Sequence, residues 1–498
     1  MKANLTIISI LAVLFSSCYK DKGNYTYAEL NKLQITDTYG AVNVPITFGD
    51  TLKINPKITQ TTSPNEENLT FEWMVFDNSP ASNYNLPKTV IATTRNLAVK
   101  ITEPPFSLGQ NYRLTYKVTD KRTGVSSFLF YNLTIINKYA QGWMFLEDKA
   151  GVGDFSMILP NGSVERNVYS SLNAANPMGK PVKLEITPFQ ITDDLSPSSK
   201  KIYLLTETDG MELSYQTMLK KFNYGYLFYA APSIVKPARH TWASSSTGTS
   251  LSGSLGVAIN DGKLHTNLVG GFPGSKKWGA SLLTPAGNQN YTLAPFVAGG
   301  TTYTVTVYDA LNKRFYSAGG TVLNAFPGAA SSVFDMNNVG MDLLYMDSAN
   351  VVREYNCVFK DETNTPWLLK FKTVATTAAP VITLLKTQMS APDIVNLTAA
   401  ASSTLTPHIY YGVGNKMYKY ETTSNITVPQ FTFPAGETII KMKFNRVPGG
   451  TSQLVAVTWT GTESKVYFFD VSTVGDFTTY TNVYSGFARI VDLGYKVP

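Results

Sequence analysis

Cysteine is almost missing from this chain: 498 residues contain two, Cys18 and Cys357, which excludes a multi-disulfide scaffold. Histidine occurs three times, at His240, His265 and His408, with no H-E-x-x-H or other zinc-ligand spacing. Charged residues make up only 15% of the chain, too few for the wet faces of long helices or for a disordered polymer. Beyond residue 18 no stretch approaches ~18 continuous apolar residues, so no membrane-spanning helix is expected. P-loop, G-x-G-x-x-G and G-x-S-x-G patterns are all absent, which removes the commonest phosphate-binding and nucleophile motifs. The formal charge of +7 is spread along the chain and points neither to nucleic acid nor to a polybasic membrane patch.

What is present is the vocabulary of strands and turns. The chain has 29 Tyr, 26 Phe, 36 Gly and 26 Pro, with Thr and Val recurring between them, which predicts an all-β, multidomain protein. The N-terminus carries a different signal. Lys2 precedes the apolar run Leu5 to Phe15, and Phe15-Ser16-Ser17-Cys18 resembles a bacterial lipobox, with Phe15 where Leu is usual. The expectation is a signal peptide over residues 1–18, with Cys18 as the lipidated residue and lipid as the sole membrane attachment. Residues 19–29 read as a polar tether. Cys357, left alone in the apolar run Glu354 to Phe359, reads as a buried thiol.

Short alternating segments fill residues 30–138. The clearest is Tyr112 to Asp120, followed by the Arg122-Thr123-Gly124 turn and Phe128 to Ile136, a hairpin with inward aromatics. With Trp73 on a central strand, these residues predict an immunoglobulin-like sandwich. Residues 139–498 repeat strand pairs at roughly 45–60-residue spacing, which is propeller-blade spacing and predicts about seven blades. A large two-sheet sandwich is the alternative. In a closed propeller the final run Phe487 to Leu493 should pair beside the first strands of the same fold.

The hairpin of residues 109–136 resembles that of PKD domains, although Trp73 lacks their usual following residues. Cys18-Tyr19-Lys20-Asp21-Lys22-Gly23-Asn24-Tyr25-Thr26-Tyr27, the sandwich, and Tyr139-Ala140-Gln141-Gly142-Trp143 opening a β-rich half together resemble the PKD-like lipoproteins of Bacteroidetes. That resemblance implies an outer-membrane, surface-exposed lipoprotein encoded beside SusC/SusD-type transporters. It would act as a non-catalytic accessory binding subunit in oligopeptide or glycan uptake.

Candidate binding residues are Trp242 and Trp278, in loop-like stretches rich in Ser, Gly and Lys, together with Tyr224, Tyr226, Lys276 and Lys277. Packing between blades is the competing reading for the aromatics, whereas Trp143, Trp367 and Trp459 read as core. No cofactor, metal site or catalytic residue is predicted. Asp193-Asp194 reads as a turn, and Asp335, Asp342 and Asp347 as strand-end residues. A surface glycoside hydrolase or other hydrolase on the propeller is the alternative function, because a carboxylate pair from different blades is invisible in sequence. Asp50-Thr51-Leu52 and Asp347-Ser348-Ala349 resemble short O-glycosylation acceptors.

Overall fold

The computed structural model describes residues 30–497 except 38–42, 63–64, 79–87, 103, 188–199, 244–254, 268–276, 301–303, 329–331, 375–379 and 446–451. Cys18 and Lys276 lie outside the described residues, as do Asp193 and Asp194. The chain divides into two compact units, one ending at Ile136 and one beginning at Asn137.

The first unit is a β-sandwich. Its larger sheet runs in the order Asn43–Thr47, Ser126–Ile136, Asn111–Asp120, Leu69–Asp77 and Thr89–Ala92, with the first pair parallel and the others antiparallel. Two short antiparallel pairs complete it, Leu33–Thr36 with Lys57–Gln60 and Thr51–Ile54 with Leu97–Lys100. The hydrophobic centre is Trp73, fully buried and stacked on Tyr116 at 4.0 Å. Its indole N–H donates to the Thr94 carbonyl at 3.0 Å, which satisfies the one polar atom that burial would strand.

The second unit is a seven-bladed β-propeller. Blades 2 to 7 follow one another along the chain, and their innermost strands are Pro181–Ile186, Pro237–Ala243, Leu293–Gly299, Asp342–Ser348, Ala399–Ser402 and Thr438–Phe444. Blade 3 has three described strands and each of the others four. Blade 1 is composite. Gly142–Lys149, Val152–Ile158 and Val164–Glu165 form its outer part, and the C-terminal strand Arg489–Lys496 supplies its innermost position. The inner strands touch in a closed ring from blade 1 round to blade 7 and back.

Burial explains how the sequence builds each blade. Second strands such as Ile202–Thr206, Leu255–Asn260 and Val305–Asp309 are buried at every position, because both faces pack against neighbouring sheets. They read as continuous apolar runs. The outermost strand of blade 5, Val381–Gln388, alternates instead, since only one of its faces meets protein. At the closure, Phe145 pairs with Leu493 and Gly142 with Lys496. Gly142 has φ 146°, and a Cβ there would sit 2.6 Å from the Ile158 carbonyl oxygen, so only glycine fits where the ring closes. Among the described residues no helix is long and apolar enough to cross a membrane.

Candidate functional site

The structure corrects the loop reading of the two tryptophans. Trp242 belongs to the inner strand Pro237–Ala243 of blade 3 and is 2% exposed, its ring lying over Gly256 and its N–H donating to the Tyr203 hydroxyl at 3.3 Å. Trp278 is fully buried, bridged in parallel to Phe228 through backbone bonds from its own N–H to Leu227 and from Tyr229 to its carbonyl. Tyr224 is also buried, donating to Asn260 at 3.2 Å. These three side chains, with Tyr203, Leu205, Leu227, Phe228 and Ala258, form one apolar cluster between blades 2 and 3. The polar stretches around the tryptophans misled because their apolar partners come from the adjacent blade. Trp278→Ala should therefore lower stability by about 3–5 kcal/mol, as large core truncations do. A thermal melt of that variant unchanged from wild type would place the ring outside the core.

His240 sits at the centre of the cluster, 4.6 Å from the Trp278 ring and 5.1 Å from Tyr224, with neither ring nitrogen hydrogen-bonded. Burial, assisted by nearby His265, pulls its pKa down to about 3, so the imidazole is neutral. Of the other tryptophans, Trp143 is buried, while Trp367 and Trp459 occupy strands but remain partly accessible.

Tyr226 has the opposite fate from Tyr224. A single 3₁₀ turn, Tyr224–Leu227, directs one ring inward and leaves the other 46% exposed. Tyr226 stacks on Phe222 at 4.5 Å with the planes 10° apart, and the Lys277 ammonium lies 4.0 Å from the Tyr226 ring centroid. Lys221 approaches Phe222 at 5.2 Å. Tyr229 and Ile234 are further exposed apolar side chains of this segment. The structure thus joins Tyr226 and Lys277 in a ledge of stacked rings capped by a cation. Phe222 escaped the sequence reading; its signal was the four-residue spacing from Tyr226 at the end of a strand.

A second polar feature surrounds the propeller axis. On the inner strands, Lys183 meets Asp492 at 3.0 Å and Arg239 meets Glu185 at 2.8 Å, linking blades 2 and 1 and blades 3 and 2. Lys443 of blade 7 donates to the Leu493 carbonyl of blade 1 at 2.9 Å. Asp492 also accepts the Leu184 backbone N–H at 3.0 Å. Burial holds the Lys441 and Lys443 ammonium groups below the usual lysine range.

The carboxylates singled out in sequence are occupied structurally. Asp342 pairs with Lys313 at 3.3 Å, Asp347 accepts from Tyr345 at 3.1 Å, and Asp335 accepts the Asn337 N–H at 2.8 Å. Cys357 is fully buried and burial raises its thiol pKa, which keeps it unreactive. Among the described residues no group of three or more His, Cys, Asp or Glu could hold a metal ion.

Fold and geometry together define an all-β protein in which a PKD-like sandwich precedes a seven-bladed propeller. The profile of the PKD-like family matches residues 18–181, past the end of the sandwich and through the outer strands of blade 1. No curated protein matches the chain. Among solved structures, a quinonprotein alcohol dehydrogenase-like protein from Bacteroides thetaiotaomicron is similar at 12% identity, covering 93% of this chain and 99% of that one, with a TM-score of 0.42. The periplasmic gluconolactonase of Pseudomonas aeruginosa is similar at 10% identity over 72% of this chain and 99% of that one, TM-score 0.42. The Myceliophteria thermophila Cps50 (Swd1) β-propeller domain is similar at 10% identity over 67% and 97%, TM-score 0.36. The fold assignment rests on the sheets themselves.

Proposed function

We propose that this chain is a lipoprotein of the outer membrane, exposed at the cell surface through lipid on Cys18. In this reading it serves as a non-catalytic accessory binding subunit of a SusC/SusD-type nutrient uptake system. The lipobox-like Phe15-Ser16-Ser17-Cys18 supports the anchor, and the family match begins at residue 18. The observation that carries the binding reading is the ledge of Phe222, Tyr226 and Lys277: an exposed Tyr226 stacked on the half-buried Phe222 beside a cation, backed by the cluster between blades 2 and 3. Rings mounted on such a scaffold lose little freedom when they meet a ligand. The run Gly274 to Gly279 carries Lys276 and Lys277 but no Asp or Glu in its sequence, which favours oligopeptides over glycans as the cargo.

The test is a pull-down from membranes with three forms of the full chain. Wild type should partition with membranes and bring down a SusC/SusD-type transporter. Cys18→Ala should appear in the soluble fraction. Tyr226→Ala with Lys277→Ala should keep the transporter and the melting temperature but capture an oligopeptide mixture about tenfold less well, equivalent to about 1.4 kcal/mol. Hydrolysis of peptide or glycan by the purified wild type would overturn the non-catalytic role.

A further inference from the structure

We infer that the axial channel of the propeller binds a small polyvalent anion, a carboxylate or phosphate, through Lys441 and Lys443 of blade 7 and Arg489 of blade 1. The inference rests on the scaffold alone and is independent of the anchor, the transporter and the ledge.

The charges on the inner strands are strongly uneven. Apart from Lys496, whose ammonium donates to the Ala140 carbonyl, blades 7, 1, 2 and 3 contribute Lys441, Lys443, Arg489, Lys183 and Arg239 against Asp492 and Glu185, so five cations minus two carboxylates leave three positive charges unmatched. The inner strands of blades 4 and 6 carry no charged residue, and that of blade 5 carries Asp342 and Asp347. One side of the ring is therefore cationic and the other neutral or acidic.

Both carboxylates on the cationic side are already engaged, Asp492 with Lys183 and Glu185 with Arg239. Lys443 has only a neutral carbonyl as its acceptor. Lys441 and Arg489 make no hydrogen bond and no salt bridge within 4 Å among the described residues, and Lys441 shares Asp492 only at longer range. Lys183 and Arg239 nevertheless keep 27% and 25% of their side-chain surface accessible. The result is a region between the inner strands of four blades in which like charges converge.

Such a space stores repulsion that a ligand with several negative oxygens relieves. Lysine and arginine N–H groups form their strongest hydrogen bonds with carboxylate and phosphate oxygens. A surplus of three favours a polyvalent ion over chloride, and a channel bounded by strands limits its size.

The experiment uses the purified full chain, with calorimetry and thermal melts against citrate, inorganic phosphate and sodium chloride at matched ionic strength. Citrate or phosphate should bind saturably and raise the melting temperature by several degrees beyond chloride. A response to citrate alone marks a carboxylate site, and one to phosphate alone a phosphate site. Lys441→Met with Lys443→Met should bind at least tenfold more weakly, and Lys441→Gln alone should show a smaller loss. The Tyr226→Ala ledge variant should bind as wild type does. The proposal is overturned if neither anion exceeds chloride, or if the lysine double variant, folded by circular dichroism, binds as tightly as wild type.

Discussion

A chain ending at Ala488 should not yield a soluble monomer. The missing segment is the innermost strand of blade 1, paired along Gly142–Lys149 from Gly142 opposite Lys496 to Asp148 opposite Arg489. It buries Ile490 and Leu493, each 1% exposed, and its loss would uncover Trp143 and Phe145 on the partner strand. Two aliphatic side chains at about 1.5–3 kcal/mol each already consume much of a typical stability of roughly 5–15 kcal/mol. The strand's backbone hydrogen bonds add to that loss. What remains is an open ring with an unpaired inner edge, which is a template for association between chains. Size-exclusion chromatography of the truncated chain should show aggregate, and its melt should lose cooperativity. A monodisperse truncation melting with wild type would mean that closure contributes nothing.

Asp492→Ala should be the most damaging single substitution on the axis. Burial alone would raise this carboxyl, but Lys183, Lys443 and Lys441 outweigh burial and bring its pKa down to about 2. Removing it leaves those ammonium groups facing one another without their central counter-charge, at a cost of about 3–5 kcal/mol. The acid dependence follows in sign. Because the folded pKa lies below the ordinary 3.8, the unfolded chain binds the proton more readily between the two values. The contribution of Asp492 is complete above the unfolded value and is lost as pH falls through about 2. Wild-type melting temperature should therefore drop across that window more steeply than that of Asp492→Ala. Pairing Asp492→Ala with Lys183→Met should recover part of the loss, since it removes one of the stranded cations. Equal acid sensitivity in wild type and Asp492→Ala would show that other carboxylates dominate.

Much of the architecture could be read from local pattern. Continuous apolar runs such as Ile202 to Leu205 announced strands buried on both faces, and the roughly 50-residue recurrence of strand pairs announced about seven sheets. The final apolar run could be assigned to closure because a propeller has no other way to protect its first strand. In the sandwich, Trp73 and the hairpin ending at Ile136 carried enough alternation to place the aromatic core.

Side-chain exposure in the propeller was a different matter. Trp242 precedes a stretch rich in Ser and Thr, and Trp278 follows Gly-Ser-Lys-Lys, so both looked like loop residues open to water. Their burial depends on Tyr203, Tyr224 and Phe228, which belong to the neighbouring blade and its edge. Tyr224 and Tyr226 differ by two positions and share Gly225 as a neighbour, yet only the 3₁₀ turn separates core from surface.

The axial charges show the division most clearly. Lys441 and Lys443 alternate with Ile440, Met442 and Phe444, a pattern that defines a strand with one wetter face. Nothing local states that this face meets an enclosed axis instead of open solvent. That was decided when residues near 183, 239, 441 and 492 were brought to one ring by closure between the two ends of the unit. The sequence by itself determined the strands and their pairing into hairpins at blade spacing, because those follow from local periodicity. The count of seven and the closed ring came from the tertiary structure. Which side chains became core, ledge or channel was decided only by the tertiary structure, because burial and electrostatics depend on neighbours that periodicity does not name.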